Sequence, residues 1–155
     1  MNRAERDALV ARYRDGHRVV CEAVAGLSQT ALDHRPADGS WSARMVVHHL
    51  TDSEMMSAIR LRRLLAEEQP QIDAYDEELF ARMLYYGTRP IGPSLDALRT
   101  ARETSAQILD CIAEQDWGRA GTHSESGRYS VEDWLTIYAA HAHDHAAQIE
   151  RAVSG

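Results

Sequence analysis

Tyr138-Ala139-Ala140-His141-Ala142-His143-Asp144-His145-Ala146-Ala147-Gln148-Ile149 decides how this chain is wired. The stretch has helical periodicity, and His141 and His145 lie four residues apart, so both imidazoles leave one helix face and can grip one ion. His143 points some 200° away from His141 and is expected to face solvent. Two imidazoles do not complete a site, so a third ligand must come from another helix. The other histidine pair lies in Trp41-Ser42-Ala43-Arg44-Met45-Val46-Val47-His48-His49-Leu50-Thr51-Asp52-Ser53-Glu54. His49 shares a stripe with Met45, Val46, Ser53 and Met56, whereas His48 shares one with Arg44 and Thr51. Periodicity does not separate the two cleanly, but the apolar stripe favours His49.

The rest of the chain reads as helices. The first is expected from about Arg3 to Gly26, with Leu9, Tyr13, Val20, Val24 and Leu27 on one face. After a turn-rich loop, Leu27 to Trp41, Ser42 is the expected N-cap of a second helix running to about Glu68. Residues 69–93 are irregular, with a short helix expected within Asp73 to Tyr85. Ser94 is the expected cap of a third long helix carrying Leu98, Ala101, Ser105, Ile108 and Ile112. A glycine-punctuated loop, Gly118 to Tyr129, leads to the fourth, whose opening Ser130-Val131-Glu132-Asp133 has capping-box spacing. This is an all-α single domain over residues 1–155, a four-helix bundle. The connection of about 25 residues between the second and third long helices is long enough to return along the whole bundle. These two helices then run parallel, and the order is up-down-down-up.

Depth tests that wiring. His49 lies seven residues below Ser42, about 10 Å at 1.5 Å per residue. His145 lies eight residues before Val153, about 12 Å from the same end of the bundle. The two clusters meet only if the long crossover is present.

Composition removes other chemistries. All 17 cationic side chains are arginine, which excludes a Schiff-base lysine and a P-loop lysine. A net charge of −7 argues against nucleic acid as a partner. The apolar runs are too short for a membrane span, and the charged first fourteen residues are unlike a secretion signal. Cys21 and Cys111 read as buried, inert thiols, in keeping with a cytoplasmic protein. Ala142 stands where a zincin requires glutamate, and no histidine follows a glutamate by three residues as in di-iron bundles. Three neutral imidazoles would leave a divalent ion with open positions, and zinc, nickel or iron would accept them, zinc slightly favoured.

Around these ligands, Asp52 is a candidate to orient an imidazole and Glu54 a candidate general base. His17 lies near the metal depth and is a candidate pocket residue. Trp41 reads as a hydrophobic staple, and Arg60, Arg62 and Arg63 as a solvated face. His123 falls at the opposite end from the metal and receives no role.

The residues resemble the DinB/YfiT-like superfamily of metal-dependent four-helix bundles. The resemblance rests on Arg35-Pro36…Trp41-Ser42, His49-Leu50 with Asp52 and Glu54, Trp117-Gly118-Arg119-Ala120-Gly121-Thr122-His123…Gly127, and His141…His145 with Gln148-Ile149. Met45 departs from it, standing where a capping-box glutamate is expected. The resemblance implies metal ligands at His49, His141 and His145, and a homodimer. It further implies a metal-dependent hydrolase or a transferase using a low-molecular-weight thiol on a small-molecule substrate. The alternative is a non-catalytic bundle that binds metal or ligand and acts through dimerisation.

Overall fold

The computed structural model describes residues 1–154. Six α-helices occupy Arg3–Val24 (α1), Gln29–Asp33 (α2), Ala43–Ala66 (α3), Glu77–Met83 (α4), Gly92–Leu109 (α5) and Val131–Ser154 (α6). Four are long. Of these, α1 packs on α5 and α6, and α3 packs on the same two, so α1 and α3 are diagonal, as are α5 and α6.

Side-chain pairs fix the helix directions. Near the start of α3, His48 reaches Ser94 at the start of α5, and further along Arg62 reaches Thr104 and Ser105. These helices are therefore parallel. Arg6 bonds Glu132 and the Arg12 carbonyl meets His143, so α1 and α6 are also parallel. In contrast, Trp134 donates to the Ser57 carbonyl while His49 lies against His145, which makes α3 and α6 antiparallel. The order is up-down-down-up, as the histidine depths require.

Capping explains most boundaries. Ser42 accepts the Met45 N–H, and Ser130 and Asp133 exchange hydrogen bonds as a capping box. Helix α5 begins differently from expectation. Pro93 occupies its first turn and the N-cap, Ile91, makes no side-chain bond. Proline has no N–H to satisfy there, which leaves Ser94 free for other work.

The expected loops contain more structure than periodicity shows. Within 27–41 lies the five-residue α2, capped by Ser28. Three short strands, Gln71–Ile72 (β1), Ala120–His123 (β2) and Gly127–Ser130 (β3), form a sheet in that order, with β1 parallel and β3 antiparallel to β2. A Cβ on Gly121 would overlap the Pro70 carbonyl oxygen, so only glycine lets β2 lie this close to the crossover. The sheet sits where α3 and α5 end and α1 and α6 begin. The core has two parts. One, at the sheet end, gathers around Tyr13, Trp134 and Leu135, and the other, at the far end, around Val20, Val46, Leu50 and Ile149.

Of the α3 arginines expected to form a solvated face, Arg62 is exposed, but Arg60 and Arg63 are half-buried. Arg60 bonds the Tyr138 hydroxyl and the Asp73 carbonyl, and Arg63 bonds Glu67 and the Gln71 carbonyl, so both hold the crossover against α3. Cys111 is exposed rather than buried, since it lies just past the end of α5.

Candidate metal centre

His49 comes from the second turn of α3, and His141 and His145 from successive turns of α6. The antiparallel pairing brings all three together, with one ring nitrogen from each lying within 4.8 Å of the others. Ring centroids are 4.5 Å apart for His141 and His145, 4.8 Å for His49 and His145, and 5.3 Å for His49 and His141. His49 is buried; the other two are half-buried.

Electrostatics keeps these rings in the state that a metal ligand needs. Burial, followed by the neighbouring His145, pushes His49 down to about 4. Burial, then His145, His49 and Arg102, pushes His141 down to about 2. His145 is lowered by burial, opposed by its hydrogen bond to the Gln148 side-chain oxygen. All three are neutral at pH 7, the state in which an imidazole offers a lone pair to a metal. The His49 Nε2 atom is also buried without a hydrogen-bond partner. An unpartnered polar atom inside a protein is costly, and a metal ion between the three rings would satisfy this one. The donor set therefore fits a divalent transition ion.

His48, the rival ligand, turns the other way. Its Nδ1 lies 2.8 Å from Ser94 Oγ and its Nε2 3.0 Å from the Arg89 carbonyl oxygen. It joins the first turns of α3 and α5, using the serine that Pro93 releases from capping. His143 leaves the site as expected, but meets the Arg12 carbonyl of α1 at 3.1 Å rather than standing in solvent.

The two carboxylates proposed from sequence have other partners. Asp52 accepts a 2.7 Å hydrogen bond from Tyr86 and faces Arg89, so its bond goes to a phenol and not to an imidazole. Glu54 accepts from Tyr13, Ser57 and Arg102, which occupies its carboxylate in the interior. The side-chain hydrogen bond to the three-histidine cluster comes instead from Gln148, whose Oε1 lies 2.6 Å from His145 Nδ1. The i, i+3 spacing on a helix that already carries ligands was the available signal for it.

Aromatic rings border the site. Trp41 lies 5.0 Å from the His49 ring and 6.3 Å from Tyr86, and Tyr138 lies 5.8 Å from His141. Trp41 thus packs directly on one of the three clustered histidines. His17 lines a cavity of about 290 Å³ between α1 and α5 with Arg14, Arg18, Arg99 and Arg102, away from the three ligands, and its Nε2 is 3.2 Å from Cys21 Sγ. His123 accepts from the Glu125 and Ser126 N–H groups in the β2–β3 turn, a local structural use.

Comparison with known proteins agrees with this geometry. A family model described as the DinB superfamily matches residues 12–149. A protein of Oceanobacillus iheyensis is 35% identical over 132 residues, covering 85% of this chain and 76% of its own. YfiT of Bacillus subtilis is 33% identical over 129 residues, covering 83% of this chain and 72% of its own. Both carry the name "putative metal-dependent hydrolase". The solved structure of YfiT superimposes with a TM-score of 0.92 at 29% identity, covering 98% of this chain and 87% of that one. It is described as a "probable metal-dependent hydrolase with an unusual four-helix bundle topology". With most of its length matched and its three-histidine cluster assembled by that wiring, the chain belongs to the DinB superfamily.

Proposed function

We propose that the protein is a metal-dependent hydrolase acting on a small molecule, with His49, His141 and His145 holding one divalent transition ion. The observation that carries this reading is the convergence of three neutral imidazoles, one with a buried nitrogen that has no other partner. The names of its relatives support the same class of reaction. Zinc is favoured among zinc, nickel and iron because three nitrogens with open positions suit it well. Such an ion acts as a Lewis acid, activating water or holding a thiolate for attack on an electrophile.

The chain's own residues shape where that chemistry happens. No carboxylate belongs to the ligand cluster, so a bound ion keeps its full positive charge. Trp41 and Tyr138 flank the ligands with apolar surface and limit the approach of water. In this reading Asp52 positions Tyr86, and Glu54 holds the helices together. Neither is given the proton transfer.

Elemental mass spectrometry of untagged protein, comparing wild type with His145→Ala, tests the proposal. About one ion per wild-type chain, lost in the variant, is the expected result. Ester hydrolysis and thiol transfer are then screened side by side, because the same open ion would serve a low-molecular-weight thiol. Turnover of neither, with metal bound, would favour the non-catalytic bundle, and a wild type that takes up no ion overturns the metal reading. Sedimentation at the same stage tests the homodimer. Among the described residues, no helix is long and apolar enough to cross a membrane. The acidic charge favours a partner other than nucleic acid.

A further inference from the structure

We propose that Gln148 is the positioning residue of the centre: its side-chain oxygen accepts the Nδ1–H of His145 and so fixes the tautomer that presents Nε2 to the ion. A neutral imidazole carries one proton, and the nitrogen holding it cannot bind metal. The 2.6 Å contact uses Nδ1, leaving the lone pair on Nε2. Among the described residues, no hydrogen bond to the His49 or His141 ring accompanies it, and Asp52, the carboxylate closest in sequence to His49, is committed to Tyr86. His145 is thus the one ligand whose proton is placed by a side chain. Gln148 follows it by three residues on α6, so the same helical turn that aims the imidazole also carries its partner.

An amide differs from the carboxylate that commonly orients a metal-bound imidazole. It fixes the ring without adding negative charge, in keeping with a ligand cluster that contains no carboxylate. Gln148 is half-buried and borders an open cavity of about 290 Å³ with Pro36, Asp38, Ser40 and Arg151. Replacing its side chain therefore leaves no closed void in the core, and variants there can be compared without collapse of the bundle.

The inference rests on the metal reading above, and two measurements separate their failures. The first is the affinity of wild type, Gln148→Met and Gln148→Glu for zinc, by competition with a chromophoric chelator. Removing such a partner commonly costs about 10–100-fold in metal affinity. Gln148→Met should weaken binding by that amount, and Gln148→Glu, which restores an acceptor, should recover it. The second is the tautomer of His145 in metal-free protein, read from long-range nitrogen–proton NMR correlations. Wild type should carry the proton on Nδ1, and Gln148→Met should show a mixture. Equal zinc affinity in wild type and Gln148→Met, or an unchanged tautomer, would overturn the positioning role and leave only a helix-surface contact. A wild type that binds no zinc but shows the expected tautomer change would overturn the metal reading alone.

Discussion

The Arg102 guanidinium and the Glu54 carboxylate meet at 2.5 Å inside the bundle, with their side chains 3% and 1% exposed. From α5, Arg102 also donates to the Tyr13 carbonyl of α1 and the Tyr138 carbonyl of α6, while Glu54 belongs to α3. One arginine therefore bonds the other three long helices. Removing it would leave the Glu54 charge buried without a counter-charge, held only by the Tyr13 and Ser57 hydroxyls, and breaking a buried ion pair costs about 3–5 kcal/mol in comparable cases. Arg102→Met should show that loss in urea denaturation, and adding Glu54→Gln should recover part of it. Additive losses in the double variant would show that the pair is not coupled.

Gly16 makes room for this arrangement. A Cβ there would lie 2.6 Å from Arg102 Nη2 and 2.8 Å from the Ala142 Cβ. In an open helix, Gly→Ala would gain about 1 kcal/mol. Here the guanidinium is held by its bonds to three helices and Ala142 by its own, so overpacking outweighs propensity. Gly16→Ala is expected to destabilise by about 1–3 kcal/mol, and a raised melting temperature would refute the close packing of α1 on α6.

Proton linkage should be visible in metal-free protein. The folded-state values of His49, about 4, and His141, about 2, lie below the roughly 6.5 of an unfolded histidine. The unfolded chain therefore takes up protons first as the pH falls. Stability from these groups is complete above about pH 6.5 and is lost as pH drops toward the folded values, at up to about 1.4 kcal/mol per pH unit for each group. Urea midpoints between pH 7 and 5 should fall accordingly, and His49→Gln should flatten the slope by one group. An unchanged slope would show that His49 is not held neutral by burial.

Adjacent histidines should behave oppositely. With zinc at 100 times its dissociation constant, wild type should gain about 2.7 kcal/mol of stability. His49→Gln should abolish the gain, whereas His48→Gln should retain it while losing basal stability from the joint between α3 and α5. Thermal melts with and without zinc read both effects. Retention of the gain in His49→Gln would remove that residue from the ligand set.

The long helices were legible because each repeats an apolar stripe over many turns. The wiring was legible because two histidine clusters could meet at only one depth. The sheet was not. Its strands are two to four residues long, and sequences such as Ala120-Gly121-Thr122-His123 carry no alternation; their pairing depends on β1, far away in the chain. Arg102 was missed for another reason. It lies on the buried stripe with Leu98, Ser105, Ala106 and Leu109, but an arginine read alone belongs to solvent, and only its partners on three other helices explain its burial. Gln148 sat in plain view beside the ligands, yet an amide on a helix has many uses until its distance to a ring is known.

The sheet has a consequence for how the bundle breathes. At that end the two long connections are joined by backbone pairing, β1 to β2 to β3. At the opposite end the helices are joined by side chains, among them Arg44 to Asp33 and Gln29, and His48 to Ser94. One end of the bundle is thus tied by backbone pairs, and the end that carries the histidines by side chains. An ion held by His49, His141 and His145 would add a tie between α3 and α6 at that end. Its arrival would register less in the shape of the protein than in slower amide exchange along the first turns of α3 and the last turns of α6.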